Sequence, residues 1–366
     1  MNKGKKIIFL VSSISQPRCI KRIQSFIEFG YAVEIYGFNR GVYSVNAFIK
    51  GAEINDLGFL PSGNGYIKKF MFAKSLLKTI FKKFRDKDVI YYAFSFDLAI
   101  LCKMYSSKIY IYEISDIVYT YFKINILELI FKRIDIWIIK RSFLTIMTSE
   151  GFYDYFFPKG NPQNIIVQPN KVSSKLITEN RGNEVQTQNK FIFSFVGAFR
   201  YPNTVFRLAR IIGEKYPQHE FYFWGDSNLT NLAIELSKKH KNIKYFGAFK
   251  NPEDLVKIYK TTDVVVACYD IETLNERIAE PNKLYEAMFF IKPIIVSKET
   301  FLAKKVSDYK CGFAIDATND LDICQFIDKL NVEKLNEIKF NIKKIKLSEM
   351  IDDDAKKIID YVTNTK

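Results

Sequence analysis

The sequence predicts an α/β protein of two doubly wound parallel-sheet domains, and three observations carry that reading. Strand-like apolar runs alternate with helix-like runs through nearly the whole chain, as in a parallel sheet covered by helices. A polar stretch interrupts the alternation near the middle, and the alternation then restarts. The length of 366 residues exceeds the usual size of one hydrophobic core.

In the first half, Lys6–Val11 reads as a buried strand. A helix follows, with Ile20, Ile23 and Ile27 at three- and four-residue spacing and its end at Gly30. Strands at Ala32–Tyr36, Val89–Ala93, Ile109–Tyr112, Leu144–Met147 and Ile165–Val167 are separated by helical stretches near 66–85, 96–104 and 121–141. Turn formers dominate from Pro169 to Asn189, as expected of a linker. Phe191–Val196 then leads to a helix with Val205, Leu208, Ala209 and Ile212 inward, and Glu220–Trp224, Ile243–Phe246, Val264–Ala267 and Ile294–Val296 supply further strands. The expected division is a first domain at 1–170, a linker at 171–189, a second domain at 190–345 and a C-terminal helix at 346–366 able to cross back to the first. In paired sheets of this kind, ligands are expected in a cleft at the carboxyl ends of the strands.

Composition excludes several classes. With 48% hydrophobic residues the chain is globular. Its five cysteines stand singly, which argues against a zinc knuckle or disulfide framework and fits a reducing cytosol. Lys3 to Gln16 has the basic-then-apolar order of a signal peptide, but the apolar part is only Ile7–Val11, and Arg18, Lys21 and Arg22 follow. No apolar run approaches the ~20 residues that span a bilayer. His219 and His240 are the only histidines and both lie beside expected strands, which argues against a Ser-His-Asp hydrolase or a histidine-rich metal site. Asp86-Lys87-Asp88 precedes a strand and reads as a polar turn, and Asp352-Asp353-Asp354 as a solvated face.

Charge is uneven. Residues 1–170 carry 24 Lys and Arg against 13 Asp and Glu, and the remainder 31 against 27. Residues 67–85 hold seven cations and no acid, among them Lys68, Lys69, Lys74, Lys78, Lys82 and Lys83. Ala73, Leu77, Ile80 and Phe84 share one helical face, a pattern that suits either a helix lying in an anionic lipid interface or a sheet-covering helix with a basic outer face. No nucleic-acid recognition motif accompanies these charges.

The segment Glu280-Pro281-Asn282-Lys283-Leu284-Tyr285-Glu286-Ala287-Met288 reads as a helix start capped by Asn282, with Leu284, Ala287, Met288 and Ile291 apolar. Glu286 falls about 200° around the helix from Leu284, away from that face. A carboxylate there can accept two hydrogen bonds from a ribose diol, and the helix start favours a diphosphate beside it. An ordinary Lys283–Glu286 surface pair is the plainer reading of the same residues.

Together with Gln16-Pro17-Arg18-Cys19-Ile20-Lys21-Arg22, Phe29-Gly30-Tyr31-Ala32-Val33, Ile146 to Ser149 followed by Gly151-Phe152, Ile166-Val167-Gln168-Pro169-Asn170 and Phe195-Val196-Gly197-Ala198-Phe199-Arg200, this segment resembles the family 4-type retaining glycosyltransferases, bacterial capsule and lipopolysaccharide enzymes among them. The resemblance implies two facing Rossmann-like domains, the GT-B architecture, with an acceptor-binding first domain and a nucleotide-sugar-binding second domain. It implies a catalytic Arg200 on the donor diphosphate and Glu286 on the ribose, with Asn282, Lys283 and Glu280 close to the donor. Arg207 stands near the place of the family's usual lysine, and Asp116 near that of its usual histidine. One departure is Ile278, where the family's first glutamate would stand.

The expected activity is transfer of a sugar from a nucleotide-sugar donor to a glycan or lipid-linked acceptor in surface polysaccharide biosynthesis, with retention and with neither metal nor cofactor. The expected place is the cytoplasm, peripheral at the inner face of the plasma membrane. The competing expectation is a non-catalytic sugar-nucleotide-binding or nucleic-acid-binding protein on the same scaffold.

Overall fold

The computed structural model of the chain describes residues 5–40, 49, 51–60, 66–122, 124–160, 162–177, 188–353 and 355–364. The chain divides into two compact units, Met1–Pro169 with Asp353–Lys366, and Asn170–Asp352.

The first unit is built on seven strands: β1 (Lys6–Val11), β2 (Val33–Asn39), β3 (Glu53–Phe59), β4 (Val89–Phe94), β5 (Tyr110–Ile114), β6 (Leu144–Met147) and β7 (Ile165–Val167). They pair in parallel in the order β3-β2-β1-β4-β5-β6-β7. The central runs are apolar on both faces because helices cover both faces, and Ile7, Ile8, Phe9 and Leu10 are wholly buried. β3 escapes the sequence pattern. It is an edge strand with mostly exposed residues, so burial imposes no apolar run on it.

The helices of this unit are α1 (Pro17–Glu28), α2 (Tyr66–Lys83), α3 (Phe96–Tyr105), α4 (Asn125–Ile139) and α5 (Glu150–Phe156). On α2 and just past its end, Ala73, Leu77, Ile80 and Phe84 are 4%, 1%, 5% and 1% exposed. The stripe that fitted a lipid interface is therefore spent on the unit's own core, which leaves α2 an outer face of lysines with Met71 and Phe72 exposed among them. Lys83 is bound as well, donating to Glu34 Oε1 at 2.8 Å and to the Tyr36 hydroxyl at 2.6 Å. Lys74 and Lys78 lie 5.8 and 4.8 Å from the centre of the Tyr105 ring, and Lys82 is exposed. The side chains of Lys68 and Lys69 lie outside the described ones.

Helix α4 is anchored by Ile138, Ile139 and Asp135, which are buried. The Tyr119 hydroxyl donates to Asp135 Oδ2 at 3.1 Å. Burial pushes the Asp135 carboxyl up to about 7, against the lowering effect of Tyr112 and Tyr119. A folded-state pKa above the unfolded value means stability is greatest in acid and is lost as pH rises through the interval between them. The advantage of wild type over Asp135→Asn should therefore shrink by up to about 4 kcal/mol between about pH 4 and about pH 7. Urea melts across that range measure it, and parallel pH profiles for the two proteins would contradict a buried acid.

The second unit holds β8 (Ile192–Val196), β9 (Glu220–Trp224), β10 (Ile243–Tyr245), β11 (Val264–Ala267), β12 (Ile294–Ser297) and β13 (Gly312–Ile315). They too are parallel, in the order β10-β9-β8-β11-β12-β13. Its helices are α6 (Val205–Lys215), α7 (Thr230–Lys239), α8 (Leu255–Lys260), α9 (Leu274–Ile278), α10 (Asn282–Phe289), α11 (Phe301–Tyr309), α12 (Asp320–Asp328) and α13 (Val332–Lys343). Val172, inside the expected linker, pairs with Ile351 and belongs to this unit. The last helix, α14 (Lys356–Asn364), returns to the first unit. There Ile358, Ile359 and Val362 join the cluster of Ile7, Phe9 and Ile23, and the Thr363 and Tyr31 hydroxyls are 2.7 Å apart.

Candidate functional site

Three adjacent strands of the second unit end alike. β8 runs into Gly197 (φ +125°), β9 into Gly225 (φ +135°) and the chain after β10 into Gly247 (φ +82°). Left-handed backbone of this kind is open to glycine and strained for other residues. The Gly197 amide donates to Trp224 O at 2.7 Å and the Gly225 amide to Gly247 O at 2.8 Å. A β-carbon on Gly225 would stand 2.1 Å from Gly197 O. The three ends thus close into a shelf of bare backbone at the carboxyl edge of the sheet, where ligands of doubly wound folds bind.

Arg200 lies in the loop beyond Gly197 and is exposed. Lys283, in the first turn of α10, reaches across to the same place, because a β-carbon on Gly197 would meet its Nζ at 3.2 Å. The Lys283 ammonium sits over the Phe195 ring, 4.4 Å from its centre, and donates to the Tyr269 hydroxyl at 3.4 Å. Burial holds its pKa down to about 8, with the charge of Glu286 raising it and that of Arg200 lowering it. Tyr269 responds to the same pair: burial and Glu286 raise its pKa, and Arg200 lowers it. Two cations and one carboxylate from segments more than 80 residues apart therefore share one electrostatic neighbourhood.

Glu286 is 6% exposed, and its Oε2 accepts from the Tyr259 hydroxyl of α8 at 2.6 Å. Its place opposite Leu284 suggested an open face. Instead Leu284 through Phe289 are all buried, because α10 is packed on both sides. Tyr259 is itself wholly buried and stacked on Phe290, so it fixes the direction of the carboxylate.

The other expected residues distribute differently. Asn282 is the first residue of α10 and not its cap. Pro281 occupies the cap position, and Asn282 Oδ1 accepts from Asn170 Nδ2 at 2.7 Å. Glu280 is buried, with Oε1 accepting from the Tyr285 hydroxyl and standing 4.0 Å from Lys305 Nζ. Its carboxylate is engaged beneath α10. Arg207 turns to Asp320, Nη1 to Oδ1 2.7 Å, beside Arg210, whose Nη2 meets Oδ2 at 2.8 Å. Both arginines line a groove between α6 and α7 of about 390 Å³. Asp116 follows β5 in the first unit and is half-buried.

His219 is 4% exposed, its Nδ1 accepts from the Phe191 amide at 3.2 Å, and burial lowers its pKa. It belongs to the core. Among the described residues no group of three His, Cys, Asp or Glu could hold a metal ion, and no helix is long and apolar enough to cross a membrane. Sequence reasoning passed over Gly225, Gly247, Tyr259 and Tyr269. A glycine immediately after a strand's last aromatic residue, as in Trp224-Gly225 and Phe246-Gly247, was the available signal for the first two.

Residues 177–344 match the family model for glycosyl transferases group 1. The match lies over the second unit and assigns it transferase chemistry. No curated protein matches the chain. Among solved structures, Anabaena HepE in complex with UDP and glucose superposes with a TM-score of 0.69 at 15% identity, over 99% of this chain and 100% of that one. Sucrose-phosphate synthase from Thermosynechococcus elongatus gives 0.69 at 12% over 94% and 95%. A glycosyltransferase from Rickettsia africae gives 0.62 at 12% over 99% and 100%. At such identities these likenesses establish the fold, two Rossmann-like α/β units of the GT-B kind.

Proposed function

We propose, from the group 1 match and the site on the second sheet, that the chain moves a sugar from a nucleoside diphosphate sugar to a hydroxyl of a glycan or lipid-linked acceptor, as in the building of a surface polysaccharide. The observation that carries this reading is Lys283 Nζ against the bare backbone at Gly197, where the charges of Arg200 and Glu286 both act on it. Backbone without β-carbons admits a diphosphate closely, two cations offset its charge, and a fixed carboxylate suits a vicinal diol. That Anabaena HepE has been seen with UDP and glucose makes UDP the first probe.

In the proposed reaction the bond from the anomeric carbon to the diphosphate oxygen breaks and a bond to the acceptor oxygen forms on the same face. The acceptor proton passes to the departing diphosphate. Arg200 and Lys283 stabilise the charge that grows on that leaving group, and positioning supplies the remainder. Asp116 is proposed to orient the acceptor.

Calorimetric titration with UDP tests the binding half, and release of UDP from UDP-sugars on addition of acceptor tests the transfer. Binding with no turnover under any acceptor would favour a non-catalytic sugar-nucleotide protein, a reading in keeping with the resemblance, which sets Ile278 at the position of the family's first glutamate.

Lys283 adds a pH signature. With its pKa near 8, the ammonium loses its proton as pH rises from about 7 to about 9, and UDP affinity should fall by up to about tenfold over that interval. Lys283→Gln should bind more weakly and show a flat profile. An equally steep fall in both proteins would remove Lys283 from the phosphate site.

A further inference from the structure

Helix α4 presents a surface that the proposed reaction does not use. Ile126 is 68% exposed, Leu129 50%, Ile130 46% and Trp137 40%, with Tyr121 and Ile124 just ahead of the helix at 44% and 49%. At 100° per residue, Ile126, Leu129, Ile130, Arg133 and Trp137 fall within an arc of about 100°, and Lys140 and Arg141 follow just past the end of the helix. All seven residues are exposed. Monomeric soluble proteins rarely leave so continuous an apolar stripe in water.

The stripe is graded along its length. Its first half is branched aliphatic. Its second half is Trp137 among cations, with the Arg141 guanidinium 4.9 Å and Lys103 Nζ 5.8 Å from the indole centre. The acids of α4 turn elsewhere: Glu128 is half-buried and accepts from the Tyr155 hydroxyl at 3.1 Å, and Asp135 is buried against Tyr119.

We infer that this face of α4 docks on an anionic phospholipid surface. Ile126, Leu129 and Ile130 enter the acyl boundary, Trp137 rests at the interface, and Arg133, Lys140, Arg141 and Lys103 meet lipid phosphates. Charge decides the occupant. A second copy of the chain would set cation against cation, whereas an anionic bilayer complements both halves of the stripe and the excess of 24 basic over 13 acidic residues in positions 1–170. Helix α2, the basic segment with the more obvious sequence signature, has the stripe of Ala73, Leu77, Ile80 and Phe84 in the core and, among the described residues, leaves only Met71 and Phe72 of its large apolar side chains exposed, a shorter apolar surface than that of α4. This inference goes beyond the transfer reaction and does not depend on it.

Co-sedimentation with phosphatidylcholine vesicles, with and without phosphatidylglycerol, tests it on the full chain. Wild type should partition to the phosphatidylglycerol vesicles and not to the neutral ones, and salt should weaken binding. Ile126→Ser with Leu129→Ser and Ile130→Ser should reduce partitioning more than tenfold. Arg133→Gln with Lys140→Gln and Arg141→Gln should abolish the preference for phosphatidylglycerol, whereas Lys78→Gln with Lys82→Gln should change binding less than twofold. Circular dichroism and UDP titration, read on the same variants, should be unchanged. Loss of UDP binding in wild type would fault the donor site and leave the lipid result standing. The inference is overturned if wild type ignores phosphatidylglycerol vesicles, if the α2 variant loses binding while the α4 variants keep it, or if wild type is a dimer that the serine variant converts to monomer.

Discussion

Glu286→Gln should weaken UDP binding about 100-fold, because a charged hydrogen-bond acceptor for the ribose is replaced by a neutral group of the same size. The sign of a control sharpens this expectation. Pyrophosphate lacks the ribose, so its affinity should stay level or rise in the same variant, since in the proposed site the charge of Glu286 opposes an anion beside Lys283 and Arg200. Tyr259→Phe should retain the carboxylate but release its direction, lowering UDP affinity about tenfold. Titration calorimetry with both ligands separates a ribose role from a general electrostatic one. Equal losses of UDP and pyrophosphate would refute the ribose assignment.

Gly225→Ala should destabilise the second unit by about 3 kcal/mol or more, seen as a fall in its melting temperature of roughly 10 °C. The new β-carbon would stand 2.1 Å from Gly197 O, on a backbone with φ +135°, and neither atom belongs to a flexible side chain. Gly197→Ala presents a different case. Its β-carbon would meet Lys283 Nζ at 3.2 Å, and a lysine end can move aside. That variant should fold with a smaller loss, arising from φ +125°, yet bind UDP poorly because Lys283 is displaced. Differential scanning calorimetry beside UDP titration distinguishes the two, and a Gly225→Ala protein as stable as wild type would show that the glycine shelf is not closed as described.

The strands show how far a linear pattern reaches. Central strands of a parallel sheet are covered on both faces, so runs such as Ile7 to Val11 and Val264 to Ala267 are apolar without interruption and visible in sequence. β3 is visible in neither pattern nor composition, because an edge position asks only for backbone pairing. The site divides along the same line. The placement of Arg200 past a strand end and of Glu286 in the first turns of a helix was legible, because each follows a local signal. The burial of Glu286 was not, since helical periodicity reports the angle of a residue and not how many neighbours surround the helix.

Arg207 fits a donor site by its position in the chain, yet Asp320, 113 residues later, draws it to the flank of α6. Lys283 looked like half of a surface pair and instead crosses to Gly197. What the sequence by itself determined was therefore the two-unit parallel α/β plan and the short motifs at its turns, since burial and turn geometry write local periods into the chain. Only the tertiary structure decided that the stripe of Ala73, Leu77, Ile80 and Phe84 is covered while that of Ile126, Leu129 and Ile130 is not, and which distant charges meet. Those outcomes depend on packing between segments remote in sequence, and no local period records them.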